Sequence, residues 1–394
     1  MNIYKSSLTQ TFKLLVLGAL LGLTPSCKED SQRLMDYANP IEATYFEDYD
    51  SPAYKWGYIN TQGKKILEAK WDALKEMQPT LTAANYKGRW GYIDTDGNAK
   101  IDYVYKQATR FADQRAFVQD FNNQWLLIDE QGAVIDSTGF SQVHTFERGL
   151  CVVDKLGLKG VIDKNGREIL PIRYNSINIL GDKKFIVRQG SQYTLLHSGT
   201  PLPSKGYDRL YTPSDGLIRF KQAQRYGYLD LNGIEMSAQR YTKATNFESE
   251  VAAVRDGKGF HLIDKRLEII KSIEADNIKS AGAGKWKFKR NGKWGLLNGQ
   301  GEIILEPRYD LMNRYNSDRI AVAIGDRWGY CDENGEEVIP LKFPLVWDFS
   351  DGRARFIDNR GVGFIDKEGV MVISDNFIEV RDFSNGMARF QSYR

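Results

Sequence analysis

The sequence predicts an all-β fold, an array of ten repeats of about 34 residues each, and three observations predict it. The composition is the first: 36 glycines, 21 tyrosines and 19 phenylalanines among 394 residues suit many short strands and tight turns better than long helices. A short aromatic-glycine pattern that returns at nearly constant spacing is the second. The third is a turn signal, Asp or Asn followed three places later by glycine, after almost every copy of that pattern. With 42% hydrophobic and 27% charged residues, the chain as a whole has the makeup of a folded protein.

The first element is an export signal. Lys5 and Lys13 precede the apolar run Leu14–Leu23, whose ten residues match a signal peptide and are half a membrane span. Cys27, with Ser26 before it, resembles the lipobox of bacterial lipoproteins, although Thr24 stands where that motif prefers leucine and Leu23 lies one place further out. The resemblance implies removal of residues 1–26 and lipid attachment at Cys27, so that acyl chains hold the protein on the membrane. An ordinary secretory signal with an incidental Cys27 and an uncleaved anchor are the alternatives. Lys28, Glu29 and Asp30 resemble the surface-export motif of some Gram-negative lipoproteins, and residues 27–50 read as an acidic tether.

Residues 51–394 are the array. Lys55-Trp56-Gly57-Tyr58-Ile59-Asn60 recurs around Trp90-Gly91, Trp294-Gly295 and Trp328-Gly329. Weaker copies centre on Trp125-Leu126, Gly160, Thr194, Gly227, His261 and Gly363. These residues resemble the WG-repeat family, named for its Trp-Gly pair, over about residues 45–394. The resemblance implies that the repeat is a scaffold, with its Trp and Gly residues structural.

Each unit has its own physical logic. Along Trp-Gly-Tyr-Ile-Asp, alternate side chains fall on opposite faces of a strand, and the glycine lets a neighbouring chain approach closely. The Asp or Asn opens a turn in nine copies, with His197 the exception, and a second strand follows. Fourteen residues past the glycine register stands an aromatic in eight copies, Trp71, Tyr105, Phe140, Tyr174, Tyr241, Tyr309, Phe343 and Phe377. A Phe-x-x-Gly turn then leads into a third strand with a small residue inside it: Ala116, Cys151, Ala252, Ala321, Ala354 or Ala388. Such a unit cannot bury its own faces, so neighbours must stabilise it. An open, twisted solenoid is expected, because 34 residues is short for a four-stranded blade. A closed propeller-like ring is the alternative, suggested by a third strand at Phe383–Phe390 that ends the chain while the first copy shows a poor one.

Chemical candidates are few. Asp94-Thr95-Asp96-Gly97-Asn98 resembles the start of a calcium loop but lacks the later bidentate glutamate, and in register it is a turn. His144, His197 and His261 occupy three different registers, so no metal site is expected. Cys151 and Cys331 fill core slots and read as free buried thiols. No Ser-His-Asp order, phosphate loop or dinucleotide fingerprint is present in the sequence, so no catalytic residue and no cofactor is expected. Without residues 1–26 the formal charge falls from +3 to +1, which argues against a nucleic-acid partner recruited by bulk charge. The expected function is therefore a non-catalytic lipoprotein of the outer membrane, facing outward and binding an envelope protein or a glycan. One alternative is a periplasm-facing assembly component. Another is a carbohydrate-active enzyme with a cleft of acids beside out-of-register aromatics such as Trp286 and Trp347.

Overall fold

The computed structural model describes residues 54–202, 206–236, 241–358 and 361–393, all within one unit, Ala53–Arg394. The export signal and tether, with Cys27, Lys28, Glu29 and Asp30, lie outside the described residues. Secondary structure in the unit is entirely β, as expected, and forms ten small antiparallel sheets.

Each sheet is a blade, numbered 1 to 10 here in the order of their Trp-Gly strands. Blade 2 is the type: a short first strand Ala73–Leu74, a second strand Thr82–Tyr86, the Trp-Gly strand Arg89–Ile93 and an outer strand Ala99–Tyr105. Blade 6 has three named strands, and the isolated bridges Tyr226↔Tyr241 and Leu229↔Glu235 extend it at its outer edge. First strands of adjacent blades pack together, as Asn277–Gly282 of blade 8 does on Leu311–Asn316 of blade 9. Outer strands are mostly exposed, as in Lys65–Trp71. The first strands therefore mark the hub.

The array closes into a ring, and the open solenoid is corrected. In blade 1 the order is Lys65–Trp71, Tyr54–Asn60, Met387–Tyr393 and Glu379–Val380, so the two ends of the repeat array share a sheet. Pairing runs without a break from Tyr54↔Tyr393 to Asn60↔Met387. The seam repeats the contacts made elsewhere in the ring. Arg353 Nε donates to Thr61 O at 3.0 Å across it, as Arg319 does to Lys367 O between blades 9 and 10. Copy one does carry a third strand, Thr82–Tyr86, contrary to its weak sequence signal, and that strand belongs to blade 2. Every copy thus lends its last two strands to the next blade, and copy ten completes blade 1.

Thirty-four residues suffice because the connections are minimal. Two-residue turns with both φ angles positive join first to second strands, as at Arg148-Gly149, Asp215-Gly216, Asp351-Gly352 and Asn385-Gly386. Such turns match the right-handed twist of a hairpin.

The Trp-Gly glycine has a specific cause. Opposite it the outer strand bulges: Trp328 pairs with Phe343 and Tyr330 with Ile339, so four residues of the partner face two. The same offset occurs at Gly57, Gly91 and Gly295. A Cβ at Gly329 would stand 2.3 Å from Ile339 O, and at Gly295 2.4 Å from Leu305 O. Only glycine admits the bulged backbone. Where the register holds His261, residues pair one to one, Phe260↔Ile273, His261↔Ser272 and Leu262↔Lys271.

Side chains from facing sheets fill the spaces between blades. Tyr92, Trp90, Phe111 and Ile128 form one such core between blades 2 and 3, and Ile59, Phe364, Phe383 and Phe390 form another across the seam. The recurring small residue lies opposite the Ile slot, as in Ala354↔Ile365, Ala388↔Ile59 and Cys151↔Ile162. Blade 9 swaps the pair: Ile320 faces Cys331, and Ala321, grouped with the small residues by sequence, is one place out of register. Large faces small in either arrangement, so the layer spacing holds.

Candidate functional site

Most of the polar chemistry noticed in the sequence serves the ring. The turn residue of each of nine copies accepts two backbone N–H bonds. Asp332 Oδ1 takes those of Asn334 and Glu336 at 2.9 Å each, and Asp163, Asp230, Asp366 and Asn298 do likewise. Asp94 Oδ1 accepts from Asp96 and Asn98 in the same way, and these bonds hold its carboxyl down at about 2. Among the described residues no group of three or more His, Cys, Asp or Glu side chains could hold a metal ion.

The sequence-predicted repeat residues sit where the register requires. Trp90, Trp125, Trp294 and Trp328 are buried, and Trp56 is half-buried. The aromatic fourteen past the glycine is the cross-strand partner of the Trp position: Trp56↔Trp71, Trp90↔Tyr105, Trp294↔Tyr309. Gly57, Gly91, Gly160, Gly227, Gly295, Gly329 and Gly363 are all buried in the third strands.

Three functional patterns escaped the sequence reading. In the first, the Tyr that directly follows the register glycine donates its hydroxyl to a carbonyl in the next blade: Tyr92 to Thr109 O at 2.8 Å, Tyr228 to Thr245 O at 2.8 Å and Tyr330 to Trp347 O at 2.6 Å. A constant separation of 17 residues was the available signal.

In the second, basic side chains at one register of the second strand reach the next blade's first strand. Arg389 donates to Leu74 O at 2.7 Å, Lys287 to Met312 O at 2.5 Å and Arg355 to Val380 O at 3.1 Å, while Arg219 reaches Ala244 O. From blade 8 round to blade 1 these cations meet acids at the hub. Arg355 grips Asp382 with both arms, at 2.5 and 2.9 Å, and stacks on Trp347 at 4.4 Å. Asp348 accepts from Asn313 at 2.9 Å, and burial pushes its carboxyl up, with Asp382 adding to the effect. Burial pushes the Lys287 ammonium down to about 7, helped by the like charges of Lys279 and Arg314. This sector is a dense, mostly self-paired charge network.

The third is a side-chain chain absent from the sequence order. His261, buried in blade 7, lies 3.0 Å from Ser272 Oγ through Nδ1 and 3.0 Å from Asp256 Oδ1 through Nε2. Straight pairing in this blade sets Ser272 directly opposite His261. Both ring nitrogens are thereby satisfied, as a buried imidazole requires. His144 approaches Asp154 at 3.3 Å, and Cys151 Sγ lies 3.0 Å from the His144 carbonyl. Burial raises both thiols, Cys151 and Cys331, to about 12, so each is a protonated core residue. Trp286 is fully buried among Phe288, Phe260 and Leu297, far in role from Trp347, and the two do not share a cleft.

Between blades 5 and 6 the hub opens into a cavity of about 190 Å³. Tyr193, Tyr211, Arg209, Asn178, Thr212 and Ser176 line it. Arg219 and Arg209 hold their guanidinium groups 3.8 and 4.8 Å from the Tyr211 ring centre.

The family described as "WG containing repeat" matches residues 56–77, 90–125, 160–193, 294–328, 328–359 and 363–392. The chain belongs to the WG-repeat family. Its matched segments begin at the Trp-Gly register of blades 1, 2, 4, 8, 9 and 10, and residues 194–293 lie between them. A comparison with curated proteins found no match. Among solved structures, a eukaryotic initiation factor is similar at 10% identity over 85% of this chain and 98% of that one, with a TM-score of 0.42. BamB from Moraxella catarrhalis is similar at 13% identity over 64% and 92%, with a TM-score of 0.32. The C-terminal WD40 domain of Sif2 is similar at 13% identity over 65% and 97%, with a TM-score of 0.31.

Proposed function

We propose that this WG-repeat protein is a non-catalytic binding scaffold, held on the outer membrane by lipid at Cys27 and facing outward through the Lys28-Glu29-Asp30 signal. The observation that carries the scaffold reading is the closed ring itself. Ten blades locked by a shared terminal sheet form a rigid platform, and its repeated polar side chains are spent on turns and inter-blade bonds. A rigid platform binds without the ordering cost that a flexible surface incurs. The partner class is an envelope protein or a glycan. The address rests on the lipobox resemblance of residues 23–27 and on the ten-residue apolar run before it.

Two measurements test this. Protease shaving of intact cells, comparing wild type with Cys27→Ala, should remove the wild-type protein from the surface, while the variant is no longer membrane-held. Protection of a membrane-bound wild type would move the protein to the periplasmic face. Pull-down from envelope fractions and polysaccharide extracts should retain a partner, and failure with both would refute the scaffold.

A further inference from the structure

Because the strands of every blade alternate in direction, the hairpins that join second to third strands all turn on one face of the ring. Blade 1 is open at that place. Its second strand ends at Tyr393 and its third begins at Tyr54, paired with each other and with ring centres 4.7 Å apart. The chain that leads on from Cys27 therefore joins the ring at this face. In blades 5 to 8 the turns are small or polar: Gly190-Ser191, Ala223-Gln224, Gly257-Lys258 and Asn291-Gly292, with Ile324 partly exposed beside the turn of blade 9. The sector around the chain entry differs. Tyr393 is exposed in blade 1, Tyr86 in blade 2, Phe121 to 57% in blade 3, and Leu156 to 91% in blade 4 with Leu158 just past it. Exposed apolar residues elsewhere, such as Ile269 and Val372, lie along outer strands on the circumference.

Leu156 does little for the ring. Its backbone is left-handed, with φ at 53°, at the turn position that blade 8 fills with Asn291 at 51°. That region disfavours a leucine, and this one buries almost nothing in return. Cations flank the apolar tips. Lys87 and Lys155 are exposed in the turns of blades 2 and 4, and the Arg89 guanidinium of blade 2 lies 5.5 Å from the Phe121 ring centre of blade 3. The acids beside these turns are engaged. Asp72 pairs with Lys55 and accepts the Gly88 N–H at 2.9 Å, Asp120 accepts those of Asn122 and Gln124, and buried Asp154 pairs with Lys159 at 2.6 Å. The exposed charge at these turns is positive.

We propose that this face of blades 1 to 4 docks on a lipid bilayer with an anionic surface. Phe121 and Leu156 enter the interfacial layer, Tyr86 and Tyr393 lie at headgroup level, and Lys87, Arg89 and Lys155 meet the phosphates. Aromatic rings suit that level, and exposed lysine and arginine are drawn to anionic lipid. A weak affinity suffices, because a lipid at Cys27 already holds the ring near the surface. The inference rests on the lipoprotein reading and gives the ring an orientation, with the opposite face left for a partner.

The test uses the full-length lipidated protein in vesicles of phosphatidylethanolamine and phosphatidylglycerol. Cys151 and Cys331 are buried, so an environment-sensitive fluorophore can be placed at Phe121→Cys or Leu156→Cys, or at Gln114→Cys in a turn of the opposite face. Lipid brominated in its acyl chains should quench the probes at 121 and 156 at least twofold and leave that at 114 unchanged. Lys87→Glu with Lys155→Glu, or phosphatidylcholine in place of phosphatidylglycerol, should reduce the quenching by half or more. Both native side chains are exposed, so the labelled variants should melt like wild type. Probes at 121 and 156 no more quenched than at 114 would overturn the proposal, as would indifference to both charge changes. Shielding of the two probes only when envelope proteins are added would overturn it too, making the face a protein interface. Loss of the lipid reading is distinguishable, because the protein would then fail to float with the vesicles at all.

Discussion

Gly329→Ala tests why the repeat is built on glycine. The new Cβ would stand 2.3 Å from Ile339 O and 2.7 Å from the carbonyl carbon and oxygen of Pro340. All are backbone atoms of the outer strand Glu337–Phe343, so no side chain can swing aside. The strand must retreat by roughly an ångström to restore ordinary contact distances. Retreat breaks the pairing of Tyr330 with Ile339 that anchors the bulge. Overpacking of this kind costs about 1–3 kcal/mol. Lower entropy of the unfolded alanine variant offsets about 0.4–1 kcal/mol. A net loss of about 1–2 kcal/mol is expected, read as a lower denaturant midpoint with an unchanged slope. Amide exchange should speed up in residues 337–343 before the rest of blade 9. His261→Ala is the control: its partner strand is straight at that register, so it should lose the bonds to Ser272 and Asp256 without displacing the strand. A Gly329→Ala midpoint equal to wild type would refute the bulge as the reason for the glycine.

Three further outcomes follow from the same geometry. Deleting residues 387–394 removes the strand that closes blade 1 and exposes the Tyr54–Asn60 edge, so the shortened protein should lose most of its cooperativity and self-associate in light scattering; a monomer with unchanged melting would refute closure as the lock. The unfolded Lys287 ammonium keeps its ordinary value of 10.5 while the folded one is pushed down to about 7, so between these the unfolded chain holds the extra proton and wild-type stability gains as pH rises. The burial penalty is complete below about 7, and the stability of Lys287→Met relative to wild type should therefore fall from pH 7 to 10, by an amount of the order of a few kcal/mol, with parallel pH curves as the refuting result. Cys151 and Cys331, both fully buried with thiols at about 12, should resist an aromatic disulfide reagent at pH 8 in a Cys27→Ala background and react only on unfolding; rapid native labelling would show that a blade opens locally.

The repeat was legible because its demands are local. An Asx turn needs one carboxylate or amide and backbone donors two and four residues on, and Asp94, Asp163 and Asp332 supply that within five residues. The bulge needs glycine at one place, and an aromatic fourteen residues later pairs back to the Trp position. His261 shows the limit. In sequence it is a decayed glycine, whereas in space its straightened partner strand brings Ser272 to its ring. Likewise Ala321 looks like the small residue of its blade, but the true pair is Ile320 with Cys331, a swap visible only across the sheet.

By itself the sequence determined the all-β class, the ten copies, the turns and the core aromatics, because each is specified by residues within one unit. Only the tertiary structure decided between solenoid and ring, since closure depends on Met387–Tyr393 meeting Tyr54–Asn60 from the far end of the chain. The hub was beyond the sequence for the same reason. Arg355 finds Asp382, and Arg389 finds the Leu74 carbonyl, across sheets whose placement is a sum of small twists. Such sums are set by packing between neighbouring blades, and no single unit encodes them.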